Sequence, residues 1–235
     1  MNWIPYIPIA TFAISLGFAR TLFLHYKAKP QALYLLWWLI GVATYGVGTF
    51  TESVNALFGW SEVNFRWWYI SGALLGGAPL AQGTVYLMLP KRTAHALTGL
   101  LVAAVLVGSW CVWQSPVDPS LQEGDRLTGA VFEWQWVRRF SPFINLYAVA
   151  FLVGGAVWSA VKYFRTTGTS ERFWGNLLIA LGAILPGIGG SFTRFGHVEV
   201  LYVTELLGLG LIIWAYQIMR KAPSHSVHVA QRVAS

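Results

Sequence analysis

Seven apolar stretches, at about 3–26, 32–54, 67–90, 96–114, 140–164, 173–194 and 198–219, are separated by short polar turns. Each is long enough to cross the hydrocarbon core of a bilayer at about 1.5 Å of rise per helical residue. Backbone exposed to lipid must satisfy its own hydrogen bonds, so such stretches in series dictate an all-α integral membrane bundle of seven transmembrane helices. Composition points the same way: 56% of the residues are hydrophobic and 11% charged, against about 25% charged in a soluble domain. The expected organisation is one transmembrane domain over 1–221, followed by a polar, disordered tail over 222–235.

The net charge of +7 does not indicate nucleic acid, because the basic residues gather at span ends. Eleven of the 16 lie on one side: Arg20, Lys27, Lys29, Lys91, Arg92, Lys162, Arg165, Arg172, Arg220, Lys221 and Arg232. Arg66, Arg126, Arg138, Arg139 and Arg194 lie on the other. The positive-inside rule makes the richer side cytoplasmic, placing the N-terminus outside and the C-terminus inside, in a bacterial cytoplasmic membrane. No basic n-region precedes the first apolar stretch, so it reads as a retained span rather than a cleaved signal. In the longest loop, Ser115–Arg139, the run Phe132-Glu-Trp-Gln-Trp136 reads as an interfacial anchor.

The last span carries the most informative residue. Glu205 stands about a third of the way into it, and Tyr202, Gly208, Ile212 and Tyr216 share its helical face. A carboxyl group at that depth is costly unless it faces a protein interior. Other spans offer polar stripes to meet it. The second carries Tyr34, Trp38, Gly41, Tyr45, Thr49 and Glu52, and the third Ser71, Pro79, Gln82 and Tyr86. The fifth carries Arg138, Ser141, Asn145 and Ser159, and the sixth a run of small residues ending at Arg194. The candidate ligand-binding set is therefore Glu205, Tyr202, Arg194, Gln82, Tyr86, Tyr45, Glu52, Asn145 and Arg138. Near span ends, Glu52, Arg66, Arg138 and Arg139 are expected to meet water or headgroups rather than an interior, while Glu205 is expected to face inward.

The first and last three spans resemble each other. Pro5-Tyr-Ile7 and Pro142-Phe-Ile144 lie 137 positions apart, as do Phe58-Gly-Trp-Ser-Glu-Val63 and Phe195-Gly-His-Val-Glu-Val200. Both triplets start on the outer side. The expectation is a parallel 3+1+3 repeat, with halves at about 3–90 and 140–219 joined by a linker helix at 96–114. Such repeats place a site between the halves in small transporters, and seven-helix receptor bundles fit the same plan.

Several chemistries lack their residues. The seventh span has no Lys to carry a retinal Schiff base, and no His lies mid-membrane for haem or hydrolytic zinc. Cys111 is the lone cysteine, and HExxH and GxSxG motifs do not occur. No enzyme activity, metal or cofactor is expected.

The run Trp37…Glu52…Phe65-Arg-Trp-Trp-Tyr69…Gly83-Thr-Val-Tyr-Leu87 resembles an uncharacterised group of bacterial seven-span proteins. It is also similar to the seven-helix N-terminal sensor regions of some histidine kinases. No kinase domain follows Lys221, so that resemblance implies a separate output partner protein. The leading reading is a receptor-like or sensory module holding a small molecule between the triplets toward the outer side; the alternatives are a small-solute transporter and a non-catalytic subunit of a membrane complex. All three have the lipid bilayer as surroundings and none involves nucleic acid.

Overall fold

The computed structural model describes residues 4–122, 126–166 and 170–221; the expected disordered tail lies outside them. The described residues are helical apart from short connections and one isolated β-bridge, Val117 to Phe132. Six helical stretches are long and apolar enough to cross a membrane: Ile4–Ala28, Leu33–Phe58, Lys91–Gln114, Gln135–Phe164, Ser170–Phe195 and Val198–Lys221.

The remaining stretch, expected as a third span over 67–90, is not one helix. It is built from α3 (Glu62–Trp68), a π-helical turn (Tyr69–Leu74) and α4 (Ala78–Met88). Between the last two, Gly76 takes a φ of +45°, a conformation other residues rarely adopt. A π turn followed by a break leaves a backbone carbonyl without its helical partner. That carbonyl, on Ala73, is met by the Ser141 hydroxyl and by Asn145 Nδ2, the latter at 3.0 Å. A Cβ on Gly76 would also press on Asn145 Oδ1, in a side chain held by the bonds of its Nδ2.

The other elements are α1 (Ile7–Ala28), α2 (Leu33–Phe58), α5 (Lys91–Gln114), α6 (Phe140–Ala148), α7 (Gly154–Phe164), α8 (Ser170–Phe192) and α9 (Val198–Lys221). A second π turn, Val149–Val153, joins α6 to α7. The helices close a ring: α1 packs on α2 and α9, α9 on α8, α8 on α7, and α4 bridges α2 to α6. Helix α5 stands outside the ring, against α4, α6 and the first π turn.

Small residues allow the closest approaches. A Cβ on Gly182 would lie 2.7 Å from the Gly208 carbonyl oxygen, and one on Gly208 2.6 Å from that of Gly182. Between α2 and α4 the fit is reciprocal, Leu80 lying over Gly41 and the Trp38 ring over Gly83. Dispersion and shape fit of this kind hold helices together where lipid removes the hydrophobic drive.

The long loop is a folded cap. Phe132 is fully buried and packs its ring against Phe65 (5.0 Å) and Tyr69 (4.8 Å). Of the large aromatics in the expected anchor, Trp134 and Trp136 alone are exposed, stacked at 6.0 Å. The Ser120 hydroxyl and amide both donate to Asp118 Oδ1, at 2.6 and 2.9 Å, and hold that carboxyl below its ordinary range.

Arg66, expected at an interface, is instead 5% exposed. It pairs with Glu62 Oε1 (2.6 Å) and donates to the carbonyls of Val112 and Ser115 (2.9 Å for the second). It thereby caps the end of α5.

Candidate functional site

A cavity of about 890 Å³ opens at the end of the bundle that carries the long loop. Its walls come from α2, the first π turn, α6, the second π turn, α8 and α9. Seven of the nine candidates line it: Tyr45, Glu52, Arg138, Asn145, Arg194, Tyr202 and Glu205. Gln82 and Tyr86 do not.

Those two form a separate polar knot among α4, α5 and α6. Gln82 is fully buried; its Nε2 donates to Ala94 O (3.1 Å) and Thr98 Oγ1 (2.8 Å), and its Oε1 accepts from Tyr147. Tyr86 meets His95 Nδ1 at 2.9 Å and Thr98 Oγ1 at 3.0 Å. Their polar atoms are thus engaged between helices. Asn145 lines the cavity, but its Nδ2 is occupied with Ala73 O and Ser141 Oγ.

The deep wall is acidic. Glu52, expected near water, is 6% exposed, with Oε1 accepting from Trp68 Nε1 at 3.1 Å. Its carboxyl faces that of Glu205 within hydrogen-bonding reach. Ionised carboxylates only accept, so a hydrogen bond between the two needs a proton on one of them. No nitrogen or hydroxyl donor among the described residues reaches Oε2 of Glu52 or Oε2 of Glu205, and both atoms are buried. Tyr45 takes no part in quenching them: its hydroxyl donates to the backbone carbonyl of Glu205 at 2.9 Å. Among the described residues Glu205 makes no ion pair with Arg194.

The mouth is basic. Arg126, Arg138, Arg139 and Arg194 all line it, with Arg138 Nη1 donating to Gln135 Oε1 at 2.6 Å. Arg126 and Arg139 are not among the nine candidates, although both lie in the loop sequence that closes over the bundle.

A second cavity, of about 520 Å³, opens at the opposite end, lined in part by His25, Lys162, Arg172 and Arg220. The two cavities approach each other closely. On α2 the first reaches Val42 and the second Trp38; on α4 they reach Leu80 and Thr84, on α9 Ile212 and Tyr216. On α8 the pair is Gly182 and Ile179, and along the α6–α7 rod it is Val153 and Ala156. Offsets of three or four residues on five elements set the two linings about one helical turn apart, roughly 5 Å of rise along the helices. One face of α9 borders both spaces, since Tyr202, Glu205, Gly208 and Ile212 line the first and Tyr216 the second.

No metal-holding group of three or more His, Cys, Asp or Glu occurs among the described residues. Two cavities whose linings lie about one helical turn apart are thus set within membrane-length helices, and no family model, curated protein or solved structure matches this chain.

Proposed function

We propose that this chain is a seven-span carrier for a small organic solute, with no catalytic chemistry of its own. The pieces over 62–88 form the third span, and the cavity bearing the acidic pair faces outward. Charge placement supports that orientation: the second cavity borders Lys162, Arg172 and Arg220, on the side where eleven of 16 basic residues fall. The ring with α5 outside it supports a 3+1+3 plan, in which the fourth helix has no counterpart.

The observation that carries the proposal is the thin partition between two opposed cavities. A receptor needs only the outer space. A carrier needs both, with a barrier that small rearrangements can shift from one side to the other. Elements with irregular backbone supply such mobility, and three border the outer cavity: the two π turns and the Gly76 break. A structural Glu205–Arg194 pair would favour the reading as a complex subunit, and that contact is not present among the described residues.

The test is uptake into proteoliposomes of a panel of labelled amines, acids and zwitterions. Saturable flux of at least one, slowed when Leu80 and Ile212 are both replaced by Phe to thicken the partition, is the expected result. Saturable binding with no flux for any of the panel overturns the carrier and returns the receptor-like module.

A further inference from the structure

Resting on the reading of the outer cavity as a solute site, we infer that the Glu52–Glu205 pair is the binding point for a primary ammonium group. The solute class is then a small zwitterion whose acid end meets the arginines of the mouth.

The two unpartnered oxygens carry the argument. Buried acceptors almost always have a donor, yet apart from a proton the two carboxyls can share with each other, Oε2 of Glu52 and Oε2 of Glu205 have none from the described residues. They lie on adjacent side chains, and both residues line the cavity. An ammonium brings three N–H donors and one positive charge, which answers both acceptors with one group. The surroundings suit an organic cation better than a hard metal ion. Trp68 donates to Glu52 and Tyr45 to the Glu205 backbone, and Tyr202 lines the cavity about one turn before Glu205 on α9; aromatic faces attract ammonium groups. Hard cations want six or more oxygen ligands; the Tyr45 hydroxyl is turned away to a backbone carbonyl.

A simple amine leaves the mouth unexplained. Arg138, Arg139 and Arg194 repel a bare cation and attract an anionic group. From Val198, beside Arg194, to Glu205 is about 10 Å along α9 at about 1.5 Å per residue. One short molecule can span a gap of that order with a charge at each end.

The experiment is calorimetry on the purified full chain in detergent with 6-aminohexanoate, hexylammonium and hexanoate. Wild type is expected to bind the zwitterion most tightly, then the amine. Glu205→Gln and Glu52→Gln are each expected to weaken both by about tenfold or more while leaving hexanoate unchanged, since a charge-assisted bond is lost. Amine affinity retained in both variants, or no amine binding to wild type, overturns the inference. If the variants do not fold, wild type still decides: a hydrophobic carbodiimide should label Glu52 or Glu205, and 6-aminohexanoate should block the labelling. Labelling unaffected by the zwitterion counts against the site. Binding without flux would leave this site standing and remove the carrier, whereas flux indifferent to both substitutions would do the reverse.

Discussion

Gly208→Leu is expected to prevent stable packing of α8 against α9, whereas Gly210→Leu, two residues on, is expected to be tolerated. The difference is geometric. At Gly208 a Cβ meets the Gly182 carbonyl oxygen at 2.6 Å and Pro186 Cδ at 3.2 Å. The nearer obstacle is backbone, so no rotamer change relieves it, and the helices have to separate. Overpacking of a tight interface costs about 1–3 kcal/mol, and more where backbone must move; with the whole α8–α9 contact involved we expect about 3 kcal/mol or more. At Gly210 nothing lies within 4 Å and the position is exposed. In water, leucine in place of glycine gains about 1 kcal/mol of helix propensity; facing lipid, a small gain or no change is expected. Thermal unfolding in detergent, followed by aggregation or tryptophan fluorescence, gives the comparison. Equal midpoints for the two variants would sink the close α8–α9 approach, and with it the floor of the larger cavity.

How far the sequence reaches depends on the residue. Glu205 is legible because a carboxyl inside an apolar stretch has few physical outcomes. Its partner is harder. Glu52 sits one stripe position beyond Thr49 on α2, yet its closeness to a span end suggests water. What buries it is the α3–π segment, whose Trp68 supplies a hydrogen bond. That contact depends on how the chain returns after Gly59, which periodicity does not encode. Gln82 and Tyr86 show the opposite failure. They share a stripe with Ser71 only if the third span is one regular helix. The π turn and the break at Gly76 change the phase between Ser71 and Gln82. Ser71 therefore lines the cavity, while Gln82 turns toward α5. Gly76, Gly77 and Pro79 are the residues in the sequence that hint at that break. Phe132 falls in one aromatic run with the exposed tryptophans, so composition groups all three at the interface; the β-bridge from Val117 turns the Phe132 ring inward instead.

Arg66→Leu is expected to lower stability substantially, while Glu62→Gln is expected to do little. Arg66 works mainly on backbone. Its guanidinium donates to the carbonyls of Val112 and Ser115, at the end of α5 where helical partners run out. Its plane also lies 5.6 Å from the Trp113 ring. Leucine keeps the apolar stem but leaves those carbonyls without a donor, and each unsatisfied buried group costs about 1–3 kcal/mol. Together about 2–4 kcal/mol is expected, seen as a lowered thermal midpoint and as faster proteolysis in the 115–122 segment, which α5 anchors. Glu62 is a different matter. Its side chain is 51% exposed, so water replaces the lost partner, and exposed pairs are worth about 0–1 kcal/mol. If Glu62→Gln proved as damaging as Arg66→Leu, the ion pair rather than the helix cap would be what ties α3 to α5. The ordering of the two variants therefore separates a charge pair from a backbone clamp, and the clamp is what holds the capping loop, with its arginines, over the mouth of the cavity.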